Sequence, residues 1–369
     1  MTRTRLPQLG LALVMLLAIS AVGIIQVVVE TTGAATPQLL DLFRTAPTAA
    51  SMRSFEDDLE QNSWCGNRIR VAAQLAAFVT LRDLGAKGLM GRDGWLFYRP
   101  GLEYLVEPYD GMAEAAAAIV AFRDALAERG IKLLVVPAPE KPSIYPERLS
   151  LFAEGLKKPM ATHTTRLIET LRKNGIVCVD LFSTFAGATE QPLYLAHDTH
   201  WAPAGMRLAA ETTARRLAEL GWVEPGQTAY DLKPMNLLRQ GDIVEMVQNK
   251  AIAKRFEPEP IACEQVIDAA GHEPYRDAAD SPVLVLGDSF LRIYEHDEPR
   301  AAGFVAHLAR ALRMPLASII NDGGGSTLVR QELYRKPELL KGKRVVIWEF
   351  AERDIRFGVE GWQRVPLPE

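Results

Sequence analysis

Ser281–Phe290 reads SPVLVLGDSF. Val283, Leu284, Val285 and Leu286 form an aliphatic run with no polar break, the pattern of a short strand covered on both faces, as parallel sheets require. Gly287 then permits a sharp turn. Ser289 is predicted to stand where the strand's carboxyl end meets a following helix. Open α/β sheets gather their ligands at that edge, and free backbone N–H groups there steady an anion. The stretch sets two expectations: an α/β fold built on a parallel sheet with helices on both faces, and a serine nucleophile whose partners must come from elsewhere in the chain.

Outward from this strand, helical and apolar strand patterns alternate. A helix over Met112–Glu128 closes at Gly130 and leads to a strand over Ile131–Val136. A second helix, Thr162–Asn174, closes at Gly175 before a strand over Ile176–Leu181. Downstream of Ser289 come a helix over Arg300–Arg313, a strand over Pro315–Ile320, a short helix over Glu332–Leu340 and a last strand over Arg344–Phe350. This alternation predicts a parallel sheet. Helical spacing also marks Phe55–Leu84, and Asp93-Gly94 followed by Trp95, Leu96 and Phe97 suits a hairpin. From Gly221 to Ser281 the prolines at 225, 234, 258, 260 and 274 read as an irregular insertion, held by a short helix near Ile243–Val247.

The chain has 369 residues, a net charge of -4 and 48% hydrophobic residues. That balance provides no basic field for nucleic acid, and none is expected as a partner. Cys65, Cys178 and Cys263 match no paired metal spacing, and Cys178 sits in an apolar run that reads as core. The amino terminus is different. After Arg3 and Arg5, Leu9–Val29 runs without a charge and with one amide, Gln26. At 1.5 Å per residue this run spans a hydrocarbon core of about 30 Å, and it is longer than the apolar region of a cleavable signal. Ala18-Ile19-Ser20 mimics a cleavage site, but the apolar run continues past it. The expected organisation is a transmembrane signal anchor over residues 1–30, a tether over 31–54 and a globular domain over 55–369 that contains the insertion at about 221–281. Arginines ahead of the segment keep the amino terminus cytoplasmic and export the rest, which in a bacterium means an inner-membrane anchor and a periplasmic domain.

His197–Gly205, HDTHWAPAG, supplies the partners for Ser289. Pro203 suits the first turn of a helix. Asp198 and His200, two apart in an extended segment, point to the same side. A hydroxyl, an imidazole to take its proton and a carboxylate to orient the imidazolium are what nucleophilic acyl transfer needs, in any chain order and without metal or cofactor. The Ser289 N–H and the loop after the 315–320 strand, with Asn321, Gly323 and Gly324, are candidate oxyanion donors. Lys141 and Tyr145, in PAPEKPSIYP, and Arg353, after the last strand, are candidate substrate-binding residues. Plainer readings exist for each: Asp198 or Thr199 as a helix cap, Lys141 as a solvated lysine, Tyr145 as a packing residue. His163, His272, His296 and His307 lie in ordinary polar or helical contexts.

HDTHWAPAG, VLGDSF, GRDGWLF, PAPEKPSIYP, RQGDIVEM and VVIWEFAERDI together resemble the periplasmic alginate O-acetyltransferases and related exopolysaccharide acetylation proteins with an SGNH-hydrolase-like domain. The resemblance covers roughly Lys87–Phe357. It implies an SGNH-like sheet in circularly permuted motif order, because Asp198 and His200 precede the serine with one residue between them. It further implies Ser289 as nucleophile, His200 as general base and Asp198 as its orienting carboxylate, with no cofactor. The partners it implies are an exopolysaccharide acceptor and a membrane-bound O-acyltransferase that exports acetyl groups. Three alternatives stand beside it. Hydrolysis in place of transfer would make the chain a carbohydrate acetylesterase, and a decayed site would leave a polysaccharide-binding component. Asp-x-His followed by Gly-Asp also begins the ligand set of metallophosphoesterases, whose later Gly-Asn-His and Gly-His motifs are absent.

Overall fold

The computed structural model describes residues 5–33, 48–106, 108–109, 111–160, 162–188, 190–358 and 360–368. The chain divides into two compact units, Met1–Asp83 and Leu84–Glu369. The first unit is helical. Arg5–Thr32 is one helix of 28 residues, of which Gly10–Thr32 is apolar and long enough to cross a bilayer. One apolar helix near the amino terminus thus fits an anchor or a signal sequence. Within this unit the Gln26 Oε1 accepts the Trp64 N–H at 2.8 Å, so the run's single amide is engaged. Most of the expected tether lies outside the described residues. The chain is helical again over Ala49–Asn62 and Trp64–Leu81, capped by the Thr48 and Ser63 hydroxyls.

In the second unit, β1 (Gly88–Met90) and β2 (Leu96–Tyr98) pair antiparallel, and Asp93 and Gly94 take the positive φ values their turn demands. Seven strands follow: β3 (Lys132–Ala138), β4 (Val177–Cys178), β5 (Tyr230–Arg239), β6 (Glu259–Asp268), β7 (Val283–Gly287), β8 (Ala317–Ile320) and β9 (Val345–Ala351). Five of them form a sheet in the order β4-β3-β9-β7-β8, and every pairing in it is parallel. All residues of β7 and β9 are buried, which is why both segments are dominated by apolar residues, with Glu349 the one charge within β9.

Successive residues feed opposite faces. Val283, Val285, Val345 and Ile347 enter a core with Trp201, Phe290 and Phe304. Leu284, Leu286, Val346 and Trp348 enter another with Phe122, Ile168 and Val329. Helices Pro203–Glu219 and Phe304–Leu312 cover the first face, and Met112–Ala127, His163–Lys173 and Leu328–Arg335 the second.

Three expectations are revised. The strand expected over Ile176–Leu181 keeps two paired residues, because Asp180 caps a new helix through the Ser183 N–H at 3.0 Å. The helix expected from Arg300 begins at Phe304, since Arg300 and Ala301 have positive φ. The insertion is regular where irregular chain was expected: β5 and β6 form a ten-pair antiparallel ribbon. Pro234 and Pro260 fit within it because each strand of a two-stranded ribbon keeps one edge free of pairing.

Candidate active site

Ser289 opens a short helix, Ser289–Arg292, directly after β7. Asp288 shapes the turn: its Oδ1 accepts the Phe290 N–H and its Oδ2 the Ala351 N–H, both at 2.8 Å. Its own N–H donates to the Glu349 Oε2 at 3.2 Å. A Cβ on Gly287 would lie 2.5 Å from that Glu349 oxygen, so the close approach requires glycine. Among the described residues no acceptor takes the Ser289 N–H.

His200 bridges serine and aspartate. The Ser289 Oγ is 2.8 Å from Nε2, and Nδ1 is 2.7 Å from the Asp198 Oδ1. The Asp198 Oδ1 also accepts the His200 N–H at 3.0 Å, so the carboxylate fixes both ring and backbone. Phe290 packs on the ring with centroids 5.1 Å apart. Asp198 is 0% exposed, His200 3% and Ser289 9%, so of the three the serine keeps the widest access to solvent.

The inner end of the β5–β6 ribbon grips this segment. The Arg239 Nε donates to the Asp198 Oδ2 at 3.0 Å. Asp242 accepts the Thr199 N–H at 2.7 Å and the Thr199 hydroxyl at 2.6 Å, and its Oδ2 stands 3.4 Å from the His200 Nδ1. Glu259 accepts the Ala196 and His197 N–H groups at 2.8 and 2.7 Å. A Cβ on Gly241 would meet the His197 carbonyl oxygen at 2.1 Å. Neither Arg239, Asp242 nor Glu259 was singled out from sequence, although Arg239 and Asp242 stand in the quoted RQGDIVEM; the signal was a Gly-Asp pair next to an arginine inside an insertion.

Burial alone would lower the His200 pKa, but the hydrogen bonds and charges of Asp198 and Asp242 outweigh it and raise the pKa to about 9. For Asp198, burial works upward and is overcome by the hydrogen bond and charge of His200 and the charge of Arg239, which hold the carboxyl well below its usual range. Asp198, His200 and Asp242 each offer one donor atom within 4.8 Å of the others, the one such group among the described residues. Those atoms are engaged with one another, with Thr199 and with Arg239, so the set is filled by the chain's own contacts.

The remaining sequence candidates separate by position. The Lys141 Nζ donates to the Leu195 and Ala196 carbonyls at 2.9 and 3.1 Å and lies 5.3 Å from the Phe97 ring centroid. It is buried and holds the segment that leads into Asp198; burial lowers its pKa to about 8 against the charges of Asp198, Asp242, Glu259 and Glu140. The Tyr145 hydroxyl accepts the Leu193 N–H at 2.9 Å and supports the same segment. Arg353 reaches the site's flank: it pairs with the Glu140 Oε1 at 2.7 Å and lies 5.3 Å from the Phe290 ring centroid. The Asn321 loop closes on itself, with the Asn321 Nδ2 on Glu332 at 3.3 Å and the Gly324 N–H on the Asn321 carbonyl at 3.0 Å. Gly323 supplies that turn's positive φ.

A parallel sheet flanked by helices, with a buried histidine joining a serine hydroxyl to an aspartate at the sheet's carboxyl edge, defines a protein of the SGNH-hydrolase-like class. Within that class the chain belongs to the family described as SGNH hydrolase-like domain, acetyltransferase AlgX, whose profile matches residues 89–352. It is 26% identical over 278 residues to a protein named probable alginate O-acetylase AlgJ from Pseudomonas syringae pv. tomato, covering 72% of this chain and 68% of that one. It is 24% identical over 280 residues to alginate biosynthesis protein AlgX of Pseudomonas aeruginosa, covering 71% of this chain and 55% of that one. Among solved structures, the O-acetyltransferase domain of Pseudomonas putida AlgJ shares the fold at a TM-score of 0.58 and 23% identity, over 72% of this chain and 91% of that one.

Proposed function

We propose that this chain is an O-acetyltransferase that moves acetyl groups onto hydroxyls of an alginate-like exopolysaccharide in the periplasm, through an acetyl-Ser289 intermediate. The observation that carries this reading is the hydrogen-bonded series from Ser289 Oγ through His200 to Asp198, with steps of 2.8 and 2.7 Å. In the forward half, Ser289 Oγ bonds to the acetyl carbonyl carbon while its proton passes to the His200 Nε2. The donor's leaving group then departs with that proton. In the second half a sugar hydroxyl gives its proton to Nε2, attacks the acetyl carbon and expels Ser289, which recovers the proton. The Ser289 N–H is the first oxyanion donor. The Asn321 Nδ2 would have to leave Glu332 to join it. Donors of this kind each contribute about 3 kcal/mol to lowering the barrier.

In this reading residues 1–30 anchor the chain, 31–54 tether it, and 55–369 carry the chemistry. A membrane-bound O-acyltransferase supplies the acetyl group, and Arg353 faces the polymer. The test is intact-mass spectrometry of the full chain in detergent during turnover of a chromogenic acetate ester, with and without oligosaccharides. An acetyl mass that disappears in Ser289→Ala, with acetylated sugar formed, is expected. Acetate release with no sugar product across a panel of uronate and neutral polymers would make the chain an esterase, and oligosaccharide binding without any turnover would make it a binding component.

A further inference from the structure

Asp198 is a heavily engaged carboxylate. Its Oδ1 takes two donors from His200, and its Oδ2 takes the Arg239 Nε at 3.0 Å and the Asp242 N–H at 3.3 Å. A guanidinium on one oxygen offsets part of the charge that the other oxygen offers an imidazolium. A second carboxylate stands at the same ring edge. Asp242 is fixed there by both the N–H and the hydroxyl of Thr199, with Oδ2 3.4 Å from Nδ1 and the Thr199 Oγ1 itself 3.3 Å away.

The other charged groups stand one step further out. Lys141 and Glu259 hold the Leu195–His197 backbone, Arg353 acts on Asp242 from the end of β9, and Asp297 lies 3.6 Å from Arg239. Among the described residues, Nε2 hydrogen-bonds only to the Ser289 hydroxyl.

We propose that Asp242 is a positioning residue for the His200 base, supplying at Nδ1 the second negative charge that Arg239 withdraws from Asp198. The inference rests on the reading of Ser289 and His200 as the acetyl-transfer machinery. When the Ser289 Oγ–H bond breaks and the proton reaches Nε2, the new imidazolium keeps its Nδ1 proton between two carboxylates. No proton passes to Asp242; the Nε2 proton leaves with the departing group. Asp242 therefore sets the pH at which the ring is free to act, and the insertion that carries it tunes a base it never replaces. The hydrogen bond and charge of Asp242 act together with those of Asp198 to favour the charged His200 ring against its burial.

The experiment uses the full chain in detergent with 15N-labelled histidine, the His200 ring signal being identified by its loss in His200→Gln. Asp242→Asn keeps an acceptor for the Thr199 N–H and removes the charge; Asp242→Ser removes the charge with less bulk, should the Asn chain fail to fold; Asp242→Glu restores it. The His200 midpoint is expected to fall by about one unit or more in the first two and to recover in the third. The acid limb of kcat/KM for an acetate ester should move down by the same amount, with KM unchanged. A midpoint and limb that stay at the wild-type pH while activity drops evenly across the range would reduce Asp242 to a structural residue and overturn the proposal alone. Ester turnover indifferent to Ser289→Ala would overturn the acetyl-transfer reading, and this proposal with it.

Discussion

Replacing Lys141 with Met separates two roles that sequence alone left open. The ammonium is buried and donates to the Leu195 and Ala196 carbonyls. Each charge-assisted bond to a carbonyl contributes about 1.5–3 kcal/mol, so the pair amounts to about 3–6 kcal/mol. Against this stands the burial of the charge. Its pKa falls from 10.5 to about 8, a shift worth roughly 3 kcal/mol that Met would return. Met also keeps most of the stem's packing against Trp95 and Phe97.

The net loss of stability is therefore small, about 0–3 kcal/mol, and falls on the segment leading into Asp198. Urea unfolding of the Lys141→Met chain should show that loss at neutral pH, with kcat for an acetate ester down about tenfold to a hundredfold as the His200 geometry loosens and KM unchanged. The pH dependence has a definite sign. The lysine's folded pKa lies below its unfolded value, so between about pH 8 and 10.5 the unfolded chain binds the extra proton and wild-type stability rises relative to the Met variant. A strong rise in KM with unchanged stability would mean that Lys141 contacts substrate, and would refute the assignment.

Gly241→Ala forces a Cβ to within 2.1 Å of a backbone oxygen, at an ordinary φ of -68. The ribbon must shift, carrying Arg239 and Asp242 off Asp198 and His200. Ester turnover should fall at least about a hundredfold while far-ultraviolet circular dichroism still reports an intact sheet; wild-type turnover would show that the clamp is dispensable. Glu295 caps the Phe304–Leu312 helix through the Ala306 N–H at 3.0 Å. Burial foremost, with the charge of Asp277, raises its pKa from 4.5 to about 8 against the backbone N–H bonds it accepts. The folded value exceeds the unfolded one, so this residue's contribution to stability is full below about pH 4.5 and is lost as pH rises to about 8. In Glu295→Gln the urea midpoint should lose that decline; an identical slope in both chains would remove Glu295 as its source.

Much of this architecture is written in short-range pattern. Val283–Gly287 and Val345–Ala351 are buried on both faces, and their predominantly apolar character, broken at Glu349, follows directly. Asp198, His200 and Ser289 were nominated by residue type and position at a sheet edge, and the fold brings all three into one hydrogen-bonded series. What escaped the sequence is set by contacts across the chain. The proline-bearing 221–281 segment gave no strand signal, because in a two-stranded ribbon pairing outweighs propensity. Lys141 and Arg353 look alike as polar residues just past strand ends. Only the direction of the side chain, toward the Leu195 carbonyl in one and toward Glu140 and Phe290 in the other, tells backbone support from the half-buried flank of the site. Asn321 carried the right chemistry for an anion but spends it on Glu332.

The last strand along the chain, β9, lies at the middle of the sheet, between β3 and β7. It closes contacts such as that of the Glu140 N–H with Glu352, 212 residues apart in sequence. Pairings of such reach form slowly, since so much loop must close before they are rewarded. During synthesis or export, then, the base segment and the nucleophile both emerge ahead of the strand that seats them. A polypeptide that stops short of Val345 has every reactive side chain and no frame to align them. In the proposed mechanism, the Ser289–His200–Asp198 series would then be framed only once the carboxyl-terminal strand is in place.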